Sequence, residues 1–209
     1  MGGILSGEGL LGELIDAFAS LPGIGQKSAE RLAYHVLKVS REDAMRISDA
    51  IRRVKDELRR CEQCQDISEE EICAICLDDG RDRAVICVVE QPKDLRAIEE
   101  SGSYSGLYHV LGASFSPMDE RGPEQIALQR LIERSESSDV KEVILATNPD
   151  FEGDGTALLV AEALSKADVS VTMLARGLPA GGQIEYMNCS ILRDAVAGRS
   201  ALDKTPGDE

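Results

Sequence analysis

The chain has 209 residues, 29% of them charged and 43% hydrophobic, which excludes collagenous and disordered classes. No uninterrupted apolar run approaches the roughly 18 residues that a membrane helix needs. Residues 1–11 lack the basic start and apolar core of a secretory signal, so a cytosolic protein with no membrane partner is expected. The net charge of -15 excludes a generally basic nucleic-acid coat.

That charge is unevenly spread. Residues 1–60 hold ten Lys/Arg and nine Asp/Glu, a net of +1, with bases clustered at Lys27, Arg31 and Lys38 and again from Arg52 to Arg60. Residues 61–80 hold seven acids and no base, and residues 81–209 hold thirteen bases against twenty-two acids. Three parts of different chemistry follow, and contact with nucleic acid is expected at the first.

In that first part, Leu10, Leu11, Leu14, Ile15 and Phe18 recur at helical spacing and predict a short amphipathic helix over 9–20. Pro22 and Gly23 end it, and Gly25 lets the chain turn again into a second helix. Leu32, Ala33, Val36 and Leu37 form its expected apolar face. Ser40 followed by Asp43 resembles a capping box opening a third helix, with Ile47, Ile51, Val54 and Leu58 on one side. Helix, Pro-Gly-Ile-Gly turn and helix together resemble the helix-hairpin-helix motif of DNA-repair proteins. Gly23 and Gly25 would let a phosphate approach the backbone, where the first N–H groups of the next helix point outward. Lys27 and Arg31, four apart on that helix, would neutralise phosphates without reading bases. An ordinary helical hairpin with solvated charges fits the same residues. His35 has no partner nearby in sequence and reads as a packing or surface residue.

The second part carries Cys61-x2-Cys64-x8-Cys73-x2-Cys76. Each CxxC knuckle offers two thiolates to one metal, and two knuckles complete a tetrahedral shell with no open position for catalysis. Disulfides and redox chemistry compete for such motifs. A cytosolic setting disfavours the former, and two paired knuckles favour structural zinc. Residues 69–71 read as a solvated acidic tip, and Cys87, inside an apolar run, as core.

In the third part, short apolar runs at 84–89, 107–111, 143–147 and 169–174 predict strands. Helices are expected from Pro92, over 123–135 and over 155–166. Alternating strands and helices imply an α/β domain with a mostly parallel sheet flanked by helices, and ligands at the carboxyl ends of the strands. Glu90 follows the first strand, and Asn148, Asp150, Glu152 and Asp154 follow the third.

A glutamate after one strand with an acidic cluster after another resembles the Toprim domain. That resemblance implies magnesium on Glu90, Asp150 and Glu152, although acidic loop ends without metal fit equally well. The first of the two usual aspartate positions holds Asn148, a neutral and weaker ligand. None of Tyr34, Tyr104, Tyr108 or Tyr186 stands out as a strand-cleaving nucleophile.

The order of the three modules resembles the RecR family of bacterial recombination mediators over about residues 14–198, with 108–123 and 175–188 like that family's own segments. The implied organisation is a helix-hairpin-helix region at 1–60, a four-cysteine zinc finger at 61–80, a Toprim domain at 81–175 and an assembly segment with tail at 176–209. The resemblance implies a non-enzymatic DNA-repair role, acting with RecF and RecO to load RecA on gapped or single-stranded DNA. It further implies a homo-oligomeric ring of two to four subunits in a cytoplasmic, nucleoid-associated setting. The hairpin residues Lys27, Arg31, Gly23 and Gly25 would make the DNA contact. The glycine-rich stretch 177–182 lacks the GK[ST] ending of a phosphate loop and reads as a structural turn. The competing reading is a magnesium-dependent nuclease or topoisomerase-like enzyme.

Overall fold

The structure is a computed structural model, and it describes residues 9–113, 127–136 and 139–199. They divide into two compact units at the Leu58–Arg59 bond.

The first unit is helical. Helix α1 (Leu10–Ala19) packs on α2 (Gln26–Lys38), and α3 (Arg41–Glu57) follows. Ile15, Ala29 and Ala33 are its buried apolar residues, with Leu11, Leu14, Phe18 and Ile24 packed around them. Alanine at two successive turns lets the α1 and α2 backbones approach closely. The buried face of α2 therefore runs through Ala29 and Ala33, and the expected members Leu32 and Leu37 are exposed. Ser40 caps α3 as its sequence suggests: its Oγ accepts from the Asp43 N–H at 3.1 Å and donates to Asp43 Oδ2 at 2.8 Å.

The second unit opens with a two-stranded antiparallel ribbon, β1 (Arg59–Arg60) and β2 (Ile67–Ser68), and a single helical turn, α4 (Ala74–Leu77). A parallel sheet follows, built from β3 (Asp82–Val89), β4 (Gly106–Val110), β5 (Glu142–Leu145) and β6 (Ser170–Met173). The spatial order is β4-β3-β5-β6. Its connecting helices are α5 (Pro92–Ser101), α6 (Leu128–Ser135) and α7 (Phe151–Ala163).

The alternation of strand residues sorts the core into two layers. Ile86 and Val88 join Val143, Leu145, Leu131 and Val160 on one face. Cys87 and Val89 join Tyr108, Val110 and Leu95 on the other. Two elements sit where their caps dictate. Pro92 occupies the first turn of α5 behind a Gln91/Asp94 capping box. Helix α7 starts at Phe151, four residues earlier than its apolar pattern suggests, because Asp150 caps it.

The expected helix over 123–135 is described only from Leu128, and the rest of it lies outside the described residues, as does most of the 108–123 segment. The stretch after residue 175 is more than turn and tail. It carries a 3-10 turn (Ile184–Tyr186) and α8 (Cys189–Ala197), which Asn188 caps by accepting from the Ile191 N–H at 2.9 Å. Among the described residues no helix is long and apolar enough to cross a membrane.

Candidate functional site

The four spaced cysteines converge. Cys61, Cys64, Cys73 and Cys76 are all buried, and their sulfurs lie within 4.8 Å of one another. Cys61 Sγ stands 4.0 Å from Cys76 Sγ, and Cys64 Sγ stands 3.5 Å from Cys73 Sγ. A zinc tetrahedron with bonds near 2.3 Å has sulfur–sulfur edges of roughly 3.8 Å, so the donor set fits zinc. The Cys73 backbone N–H donates to Cys61 Sγ at 3.3 Å. Hydrogen bonding to Cys73 and Cys76, with burial, pushes the Cys64 thiol up, while the Cys64 contact pulls the Cys73 thiol down. A divalent cation bound by four cysteine sulfurs holds them as thiolates.

The knuckles are fastened to the sheet. The Val110 N–H donates to the Cys64 carbonyl at 2.7 Å, so a knuckle covers the open side of the edge strand β4. Arg130 on α6 donates to the Glu62 carbonyl, and Arg134 donates to the Tyr108 carbonyl at 2.7 Å. Burial depresses the Arg134 guanidinium, and the negative charge of the four cysteine sulfurs opposes that shift. The sequence pattern reaches the four ligands but not Arg130 and Arg134, because Arg130 is 68 residues from Glu62 and Arg134 is 26 residues from Tyr108.

The hairpin turn in the helical unit is set by two residues. Ile24 N–H donates to the Leu21 carbonyl at 3.1 Å across Pro22 and Gly23, and Gly23 takes φ +81°. Proline followed by a left-handed glycine defines a type II turn. Gly25 then precedes α2 without a side-chain cap, and no acid occupies the first turn of that helix. A side chain at Gly25 would meet nothing within 4 Å, so internal packing does not require glycine there. What its absence provides is open access to the first N–H groups of α2. Lys27 and Arg31 are both exposed on that helix, four residues apart, next to this opening.

In the sheet, β4 and β5 lie on opposite sides of β3, so the topological switch opens between the carboxyl ends of β3 and β5. Glu90 and Asn148 meet there. Glu90 is 4% exposed and accepts at both oxygens from one residue. The Asn148 backbone N–H reaches Oε1 at 3.1 Å and its side-chain amide reaches Oε2 at 2.7 Å. Asp150 is turned to a local task, accepting from the Gly153 N–H at 2.8 Å as the α7 cap. A side chain at Gly153 would stand 1.9 Å from the Asn148 carbonyl oxygen, so glycine is required for the helix to seat on this loop. Asp154 pairs with Arg176, whose hydrogen bond holds the carboxyl below its usual range. Glu90, Asp150 and Glu152 form no three-ligand group; among the described residues the cysteine cluster is the group that does.

Comparisons with known proteins agree with this division. The chain matches a RecR helix-hairpin-helix model over residues 11–55, a RecR four-cysteine zinc finger model over 58–78 and a Toprim model over 84–175. Cys61, Cys64, Cys73 and Cys76 thus form a structural zinc site. The chain is 46% identical over 194 residues to a recombination protein RecR of Rhodopirellula baltica, covering 93% of this chain and 98% of the relative. The RecR of Bifidobacterium adolescentis is 46% identical over 198 residues, covering 95% and 99% respectively. That of Lactobacillus helveticus is 47% identical over 193 residues, covering 92% and 97%. Hairpin, zinc knuckles and sheet in this order, with relatives matched along nearly their whole length, mean that the chain belongs to the RecR family of recombination proteins.

Proposed function

We propose that this protein is a non-enzymatic mediator of DNA repair and homologous recombination. It binds DNA without sequence preference through its hairpin and acts with RecO and RecF to promote RecA loading on gapped or single-stranded DNA. The observation that carries the reading is the uncapped, acid-free start of α2 behind Gly23 and Gly25, flanked by exposed Lys27 and Arg31. Backbone N–H groups and two cations meet phosphates there and read no base edge. The twenty acidic-rich residues that follow keep nucleic acid away from the zinc knuckles.

Such a small basic surface gains effect through repetition, and the helical unit supports assembly into a dimer or tetramer ring. Ile47, Ile51 and Val54 of α3 are 50%, 61% and 54% exposed, an apolar stripe of the kind that marks association. Cytoplasmic, nucleoid-associated work fits this reading.

The non-enzymatic part rests on Glu90. Its buried charge is satisfied by two donors of Asn148, and the amide side chain stands where a second carboxylate would need a cation. The reading therefore contains no magnesium-dependent step at Glu90, Asp150 or Glu152. A salt titration of DNA binding tests the hairpin. Lys27→Ala with Arg31→Ala is expected to weaken binding and flatten the log–log salt slope by about 2. Unchanged affinity and slope would remove the hairpin from the interface. Supercoiled DNA incubated with magnesium should stay intact, and cleavage or relaxation abolished by Glu90→Ala would overturn the mediator reading.

A further inference from the structure

Beside the zinc knuckles lies a cleft of about 470 Å³ whose walls include Ile67, Ile72, Ile75 and Leu77. Asp66 lines it, and its residue is 3% exposed. Asp66 Oδ1 is buried and accepts no hydrogen bond from the described residues. Arg96, the one base lining the cleft, reaches only to 3.8 Å from Oδ2, and its own side chain is 62% exposed. Exposed Glu69 and Glu70 line the same cleft. A buried carboxylate without close neutralisation is costly, and an apolar cleft that it lines accepts one chemical class well: a cation on an aliphatic stem.

We propose that this cleft receives a lysine or arginine side chain from a segment of a partner protein. The stem lies along Ile67, Ile72, Ile75 and Leu77, and the cationic head pairs with the Asp66 carboxylate on the Oδ2 side, where the exposed Arg96 now stands 3.8 Å away, with Glu69 and Glu70 around it. Residues 61–80 carry seven acids and no base, so the surface complements a basic segment and repels a phosphate backbone. The assignment is independent of the hairpin's DNA contact.

The test uses zinc-loaded, full-length protein with carbon-13 labels on isoleucine and leucine methyls. It is titrated with acetyl-Leu-Lys-Leu-amide and with the norleucine counterpart, which keeps the stem and loses the charge. The lysine peptide should shift the methyls of Ile67, Ile72, Ile75 and Leu77, and the norleucine peptide should bind about tenfold more weakly or worse. Asp66→Asn should weaken the lysine peptide by about tenfold with zinc content unchanged. If Asp66→Asn disturbs zinc binding, Glu69→Gln with Glu70→Gln carries the test through about a twofold weakening and a smaller salt dependence. Equal binding of the two peptides, or shifts outside the cleft, would overturn the proposal. So would undiminished binding to zinc-replete Asp66→Asn or to the double glutamine variant. A change in the solution mass of Asp66→Asn would overturn it as well, by making the occupant a second copy of this chain.

Discussion

In the helical unit the buried apolar residues are Ile15, Ala29 and Ala33, while Leu37, Ile47, Ile51 and Val54 stand half or more exposed. In the sheet unit, Ile86, Val88, Leu131, Val143 and Val160 are fully buried in one layer, and Val89, Leu95, Tyr108 and Val110 in the other. The sheet unit thus completes a core from its own sequence, and its zinc site closes the one stretch with little apolar material. Among the described residues of the helical unit Ile15, Ala29 and Ala33 are the buried apolar side chains, a small core for so short a segment. Its stripe of Ile47, Ile51 and Val54 is apolar surface that this unit leaves uncovered. The lesson is a division of labour: one unit turns its apolar residues inward, the other holds them outward.

The largest expected effect strikes the zinc staple. Cys64→Ser, or chelation of the wild-type protein, should remove about one zinc per chain and several kcal/mol of the sheet unit's stability. Metal analysis alongside thermal unfolding measures this, and unchanged stability after complete zinc loss would mean that the sheet carries the knuckles unaided. Next comes a matched pair of truncations. Leu131→Ala should cost roughly 2–5 kcal/mol wherever it is measured, because a fully buried side chain leaves a cavity. Ile51→Ala should leave the unfolding of dilute protein nearly unchanged and instead lower the assembled fraction seen by solution mass. An equal cost at both positions would abolish the contrast between the units.

A pH test sharpens the sheet unit's side of the comparison. His109 is fully buried on β4, with Nε2 bonded to the Ala127 carbonyl at 2.9 Å and Nδ1 3.2 Å from an Arg134 nitrogen. Burial, aided by the neighbouring Arg134 charge, holds its pKa down to about 4. The unfolded chain then takes up the proton first, so this stability is present above about pH 6.5 and lost as pH falls towards 4. Denaturant unfolding should lose roughly 2 kcal/mol between pH 7 and pH 5 from this residue alone. His109→Gln should remove that share of the slope, and an identical slope in the variant would exclude His109 as its source. The smallest effect is local to the helical unit. Ser40→Ala should cost about 1 kcal/mol through loss of the α3 cap, read from amide exchange in the first turn of that helix.

Much of this molecule was legible in its residues. The CxxC spacing marks four zinc ligands because a knuckle is a local structure, and the Pro22-Gly23 turn follows from fixed φ preferences at two adjacent residues. Strands buried on both faces announce themselves as unbroken apolar runs. Less legible was which apolar residues a helix buries. Leu32 lies off the row that runs through Ala29 and Ala33, and Leu37 continues that row only at the end of α2; both leucines are left exposed. The fate of the acidic residues was hidden as well. Asp150 caps a helix, a task its place in the sequence does not announce, because the backbone of Gly153 lies within reach of its carboxylate.

Sequence alone determined the three modules, their order and the chemistry of the cysteines, since each depends on residues close along the chain. Only the tertiary structure decided what the charged groups do. Glu90 and Asn148 are 58 residues apart, and the sheet's switch point makes the amide a donor to the carboxylate. Arg134 comes to the cysteines, and Arg96 to within 3.8 Å of Asp66, by the same kind of long-range closure. The net charge excluded a basic coat; where the remaining charge is satisfied, exposed or left without a donor depends on distances that no local pattern encodes.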